Sequence, residues 1–157
     1  MNYPLVCRLL GTIAWLIGGT MLFSLPWAWP AWGGQSDVEW NGLYALVGST
    51  LVCAFAGAVL RFVGREADGV LYRKEAMAVV ALSWVLATLL GALPYWMAGT
   101  GMQPGDDPNA PGQRMSLVDC MFESQSGFST TGATVLTDLE DPALVPRCIL
   151  FWRSSTH

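Results

Sequence analysis

Ser126-Gly127-Phe128-Ser129-Thr130-Thr131-Gly132-Ala133-Thr134 sets hydroxyl residues and glycines between apolar segments long enough to cross a bilayer. The chemistry such a stretch can perform is ion coordination. A filter for an alkali cation replaces the ion's water shell with oxygen, and backbone carbonyls on a short non-helical strand supply that oxygen without a fixed charge. Gly132 is central to this reading, because a residue without Cβ adopts backbone angles that let consecutive carbonyls aim at one axis. The flanking threonines stiffen the strand.

Bond-making chemistry finds no comparable constellation. His157 is the one histidine, lies one helical turn beyond Arg153, and is expected to be structural. Ser83, Ser124 and Ser126 have no histidine partner in prospect, no phosphate-cradling Gly-Lys-Ser/Thr sequence occurs, and no cluster offers a metal several ligands. Cys7, Cys53, Cys120 and Cys148 are far apart, with no C-x-x-C pair, and read as small hydrophobes. Trp84 and Trp96 read as packing and interface residues. An enzyme is not expected, nor a cofactor.

A pore loop needs a membrane scaffold, and the composition provides one. Apolar residues make up 53% of the chain and charged residues 13%, with mean hydropathy +0.41, against about 25% charged residues in ordinary soluble domains. Residues 9–36, 40–60 and 76–105 carry no charge, and about 20 apolar residues suffice to span the hydrocarbon core. A cleaved signal peptide is disfavoured for the first run: its apolar part, Leu9 to Leu25, is too long, and Trp27, Trp29 and Trp32 suit an interfacial belt better than the small residues of Ala31-Trp32-Gly33 suit a cleavage site.

Local signals set the elements. The first helix is expected over about Leu5 to Leu25, ended by Pro26, with Pro30 and Gly33-Gly34 forming a turn. The second is expected to follow Asn41 as N-cap, and Gly48 and Gly57 in it permit close helix approach. A third should start near Glu75 and reach about Ala98, bent or ended by Pro94. Glycines and prolines make 99–115 a loop. Ser116-Leu117-Val118-Asp119 has capping-box spacing, so a short helix should occupy 117–126 and stop at Gly127. At about 15 Å it cannot span and must re-enter. The partial negative charge at its C-terminus favours a cation beyond it.

Half of the basic residues, Arg61, Arg65, Arg73 and Lys74, fall between the second and third apolar runs. That connection is expected in the cytoplasm, together with the N-terminus, which places Asp37, Glu39 and the pore-loop candidate on the outer side. A nucleic-acid surface is disfavoured, because Glu66, Asp68 and Glu75 interleave with the cluster and net charge is −4. Asp138, Glu140 and Asp141 form either a solvated connector or a cation-concentrating mouth. Glu123 and Arg153 either pair behind the loop or sit separately in water near the outer face.

Phe122-Glu123-Ser124-Gln125-Ser126-Gly127-Phe128-Ser129-Thr130-Thr131-Gly132-Ala133-Thr134 resembles the first pore loop of the Trk/Ktr/HKT superfamily of potassium transporters, the bacterial Trk-type subunit above all. Leu82-Ser83-Trp84, Gly91-Ala92-Leu93-Pro94-Tyr95 and Phe151-Trp152-Arg153-Ser154 follow the order of that family. The likeness covers about Arg73 to His157; residues 1–72 match it in layout, as two leading helices.

The resemblance implies an all-α membrane protein whose pore is built from four helix, pore loop, helix repeats. Residues 1–72 would hold the leading pair and 73–157 the first repeat, with a transmembrane helix at 75–98, a pore helix at 117–126, the filter at 129–134 and a helix cut short at 145–157. It implies a potassium filter at Ser129, Thr130, Thr131, Gly132, Ala133 and Thr134, with potassium contacts from Thr130 and Thr131. Ser129 departs from the family's usual threonine but keeps carbonyl and hydroxyl. A bacterial inner-membrane location, a homodimer and a cytosolic nucleotide-binding regulatory subunit are implied too, and such a piece alone should not conduct. The rival class is a membrane interaction or assembly subunit in which Thr130-Thr131-Gly132 is a turn.

Overall fold

The computed structural model describes residues 2–28, 36–67, 72–102, 113–136 and 144–156. Their architecture is that of an all-α membrane protein. Helix α1 (Tyr3–Leu22) is followed by a 3-10 turn at Leu25–Ala28, then α2 (Ser36–Val63), α3 (Arg73–Ala98), α4 (Leu117–Phe128) and α5 (Arg147–Thr156). Helices α1, α2 and α3 are each long and apolar enough to cross a membrane. Large apolar side chains such as Phe55, Phe62, Met77 and Val80 point outward from α2 and α3, the distribution expected where lipid replaces water.

Several helix ends differ from expectation. Helix α1 begins two residues early, with Pro4 in its first turn, where a missing N–H costs nothing. Helix α2 starts at Ser36, so Asn41 lies inside it and does not cap it. Pro94 sits within α3, which continues to Ala98 and closes on Gly99 at φ +66°. Helix α5 starts at Arg147, after Pro146. Trp29, Trp32, the turn at Pro30 to Gly34, the acidic patch and His157 lie outside the described residues.

Small residues bring α1 and α2 together in antiparallel fashion. A Cβ on Gly57 would lie 2.2 Å from Trp15 Cδ1, one on Gly18 2.9 Å from Cys53 Cβ, and one on Gly64 2.5 Å from the Pro4 carbonyl. Buried Glu75, in the first turn of α3, accepts the Asn2 N–H at 3.1 Å. The N-termini of α1 and α3 thus meet the C-terminus of α2, at the end that carries Arg61, Arg65, Arg73 and Lys74.

The opposite end holds the loop. A two-residue antiparallel pair joins β1 (Gly101–Met102) to β2 (Gln113–Arg114), with Gly101 opposite Arg114. The Met115 N–H bonds the Thr100 carbonyl at 3.0 Å, and the Gly101 N–H bonds the Leu144 carbonyl at 2.9 Å. The chain therefore enters α4 and returns from it at one end of the bundle.

Candidate functional site

Helix α4 starts on the expected capping box: the Ser116 hydroxyl accepts the Asp119 N–H at 3.2 Å, and Asp119 accepts the Ser116 N–H at 2.9 Å. Its 12 residues rise about 18 Å, well short of a bilayer core. It packs into α3 at Gly91, where a Cβ would lie 2.5 Å from Ser124 Oγ and 2.6 Å from Phe128 Cε2. The Ser124 hydroxyl donates to the Ala87 carbonyl at 3.2 Å, and Thr88 bonds Gln125. Buried Trp152 of α5 donates its indole N–H to the Gly91 carbonyl at 3.3 Å. The C-terminal turn of α4 is thereby fixed about 15 Å along α3 from its C-terminal end.

The helix stop differs from expectation. Gly127 is helical; the chain turns at Thr130, whose φ is +56°. The Thr130 N–H bonds the Gly127 carbonyl at 2.8 Å and the Thr131 N–H bonds the Ser126 carbonyl at 3.0 Å. This is the bonding pattern of a Schellman cap, whose left-handed position glycine usually holds. A β-branched residue there carries roughly 1–2 kcal/mol of backbone strain. The surrounding bonds hold it: the Thr130 hydroxyl donates to the Ser129 carbonyl at 2.7 Å, and the Ser129 and Thr131 hydroxyls lie 2.8 Å apart.

Beyond Thr130 the chain climbs back along α4. Gly132 has φ +74°, so among residues 130–132 the backbone alternates between left- and right-handed φ. Such alternation turns successive carbonyls toward the same side, where a uniform strand would send them to opposite sides. No described hydrogen bond ends on the carbonyls of Thr130, Thr131 or Gly132, and residues 129–134 are exposed. A Cβ on Gly132 would meet nothing within 4 Å, so glycine is needed there for its φ and not for space. Ala133 is different. Its carbonyl accepts the Ser126 hydroxyl at 2.6 Å and is held toward α4.

Glu123 secures the returning strand from behind. Its side chain is fully buried; Oε2 lies 3.1 Å from Arg153 Nε, while Oε1 accepts the Thr134 hydroxyl at 2.5 Å and the Val135 N–H at 2.7 Å. Of the two arrangements open for Glu123 and Arg153, the structure has the pair. One carboxylate joins α4, the strand and α5, satisfying donors that would be costly to bury alone.

Two residues escaped the sequence reading. Ser126 looked like one more hydroxyl of the loop, and only the fold brings it to Ala133. Glu39 is expected in a loop with Asp37; it lies in the first turn of α2, is 1% exposed and accepts the Arg147 N–H at 3.3 Å. The available signal was slight, since Asp37 and Glu39 both fall in the first turn of α2 and nothing local tells them apart. The four cysteines are free thiols, and no cluster of three or more metal-ligating side chains occurs among the described residues.

No family model matches the chain. The Trk system potassium uptake protein TrkH of Salmonella typhimurium is 30% identical over 154 residues, covering 98% of this chain and 27% of the relative. TrkH of Halomonas elongata is 29% identical over 157 residues, with the same coverage. The crystal structure of the potassium transporter TrkH from Vibrio parahaemolyticus superposes with a TM-score of 0.75 at 27% identity, covering 98% of this chain and 28% of that one. The chain is a homologue of TrkH. It spans about a quarter of the length of these TrkH relatives, and the likeness takes in the leading helices as well as the loop.

Proposed function

We propose that this chain supplies one wall of a potassium-conducting pore in a Trk-type uptake system, with residues 1–72 as a leading pair and 73–157 as the first of four pore repeats. Ser129, Thr130, Thr131, Gly132, Ala133 and Thr134 form its filter strand. Potassium rests against the carbonyls of Thr130 and Thr131, with Gly132 turning the next carbonyl to the same side. The observation that carries this reading is the alternating strand with three unclaimed carbonyls, set below a helix too short to span. Relatives named as potassium uptake proteins support potassium as the cargo.

In this reading Glu123 and Arg153 hold the strand, and the C-terminal dipole of α4 favours a cation. The end bearing Arg61, Arg65, Arg73 and Lys74 faces the cytoplasm, with the N-terminus, in a bacterial inner membrane. A homodimer and a cytosolic nucleotide-binding regulatory subunit complete the assembly.

The test is growth of a potassium-uptake-deficient strain at low external potassium. The complete protein containing this sequence should rescue; Gly132→Asp should not, and the 157-residue chain alone should not. Aspartate is among the few side chains that accept a left-handed φ, so the loss would come from charge and bulk at the ion path. Full rescue by Gly132→Asp at equal membrane abundance would overturn the reading. Unchanged ion selectivity and expression on Glu123→Gln would remove the brace from it.

A further inference from the structure

Helix α5 is attached at both ends of its described length. Arg153 lies six positions beyond Arg147, the first residue of the helix, an axial distance of about 9 Å. At Arg153 the helix grips Glu123, and through it Thr134 and Val135 of the exposed strand. At Arg147 it grips the leading pair. Glu39 Oε1 of α2 accepts the Arg147 N–H at 3.3 Å and stands 3.9 Å from Arg147 Nε. The carboxylate thus sits at the positive end of the α5 dipole, where it satisfies an orphan backbone donor. The surroundings leave α5 little room to slide: a Cβ on Gly42, one turn along α2, would lie 2.6 Å from both Cys148 Sγ and Pro146 Cβ. Trp27, after α1, stacks on Phe151 with ring centroids 3.9 Å apart.

We propose that Glu39 is a positioning residue for ion selection, acting through α5. The connection runs from Glu39 to the α5 N-terminus, along the rigid helix to Arg153, then through Glu123 to the Thr134 hydroxyl and Val135 N–H. On this account the leading helices do more than anchor the chain in lipid: they fix where the upper end of the strand is pinned. Carbonyl distances to a dehydrated ion discriminate between cations that differ in radius by fractions of an ångström, so a small shift of α5 alters selection before it alters folding. The inference rests on the proposed filter.

The experiment uses the complete protein in membrane vesicles and compares uptake of rubidium, as a potassium stand-in, with uptake of sodium, normalised to protein in the membrane. Glu39→Gln keeps an acceptor for the Arg147 N–H but removes the charge; Glu39→Ala removes both. The expected result is a fall in the rubidium-to-sodium ratio of about 3-fold for Gln and more for Ala, a size typical of residues coupled to a site without touching it. Gly42→Ala, which presses on Pro146 and Cys148 with Glu39 intact, should lower the ratio too and carries the test if the Glu39 variants fail to reach the membrane. An unchanged ratio in these variants, with or without reduced abundance, would overturn the inference and leave Glu39 a structural residue. Gly132→Ala in the same assay separates the two readings. If it changes the ratio while the Glu39 and Gly42 variants do not, the filter stands and only the α5 linkage fails; if it has no effect either, the filter itself is wrong.

Discussion

Between α1 and α2 close glycine contacts dominate: Gly57 lies under Trp15, Gly18 against Cys53 and Gly64 against the Pro4 carbonyl, each with less room than a methyl group needs, and two polar bonds lie beside them, from the Trp15 indole N–H to the Ala54 carbonyl at 3.1 Å and from Arg61 to the Thr12 hydroxyl at 2.9 Å. Around α4 polar contacts dominate, running from Ser124 to Ala87, Ser126 to Ala133, and Glu123 to Thr134, Val135 and Arg153. The difference follows from what each region must do. Two apolar helices in lipid gain no hydrophobic advantage by touching, so close packing through small residues holds them. A non-helical strand has lost its intrahelical bonds and must find replacements within the protein while leaving some carbonyls unclaimed. The first region should therefore be more sensitive to added volume than to lost polar groups, and the second more sensitive to lost polar groups, with Gly91 the one place around α4 where a methyl group would also find no room.

The substitution expected to cost most is Glu123→Ala, which removes one acceptor from three donors. Loss of one partner of a buried ion pair costs about 3–5 kcal/mol, and thermal unfolding of the complete protein in detergent should reveal it as a large fall in melting temperature. A change near zero would mean that the loop is not held by polar bonds. Gly57→Leu comes next. Overpacking costs typically about 1–3 kcal/mol, and the loss should appear as reduced folded protein, while rubidium-to-sodium selection by the surviving fraction stays normal. Altered selection there would break the separation between the two regions.

Ser126→Ala removes one hydrogen bond, worth about 1 kcal/mol, and frees the Ala133 carbonyl. A modest loss of stability accompanied by changed ion selection is expected from the same two measurements. The smallest effect has the opposite sign. Thr130→Gly relieves a left-handed strain of about 1–2 kcal/mol, offset by about 0.5–1 kcal/mol of added backbone entropy in the unfolded chain. It should raise the melting temperature slightly while weakening uptake, as expected where strain is kept at a working site. A destabilised Thr130→Gly protein would show that the threonine hydroxyl matters more than the backbone.

Sequence alone determined the three spanning helices, because charge-free runs of that length have few other uses, and the start of α4, because Ser116 and Asp119 cap it by local bonds. It also marked Gly132 as a place where the backbone takes angles closed to other residues, since residue type restricts φ locally. Tertiary structure decided the rest. Helix α4 runs to Phe128 and the chain turns at Thr130, not at Gly127, which is buried within the fold. Ser126 claims one carbonyl of the loop and leaves three open, and Glu39 is buried because α5 begins beside it, 108 residues further along the chain. Capping and turn signals act over a few residues and can be read in order; the partner of a buried carboxylate is chosen by how helices pack, which no local pattern encodes.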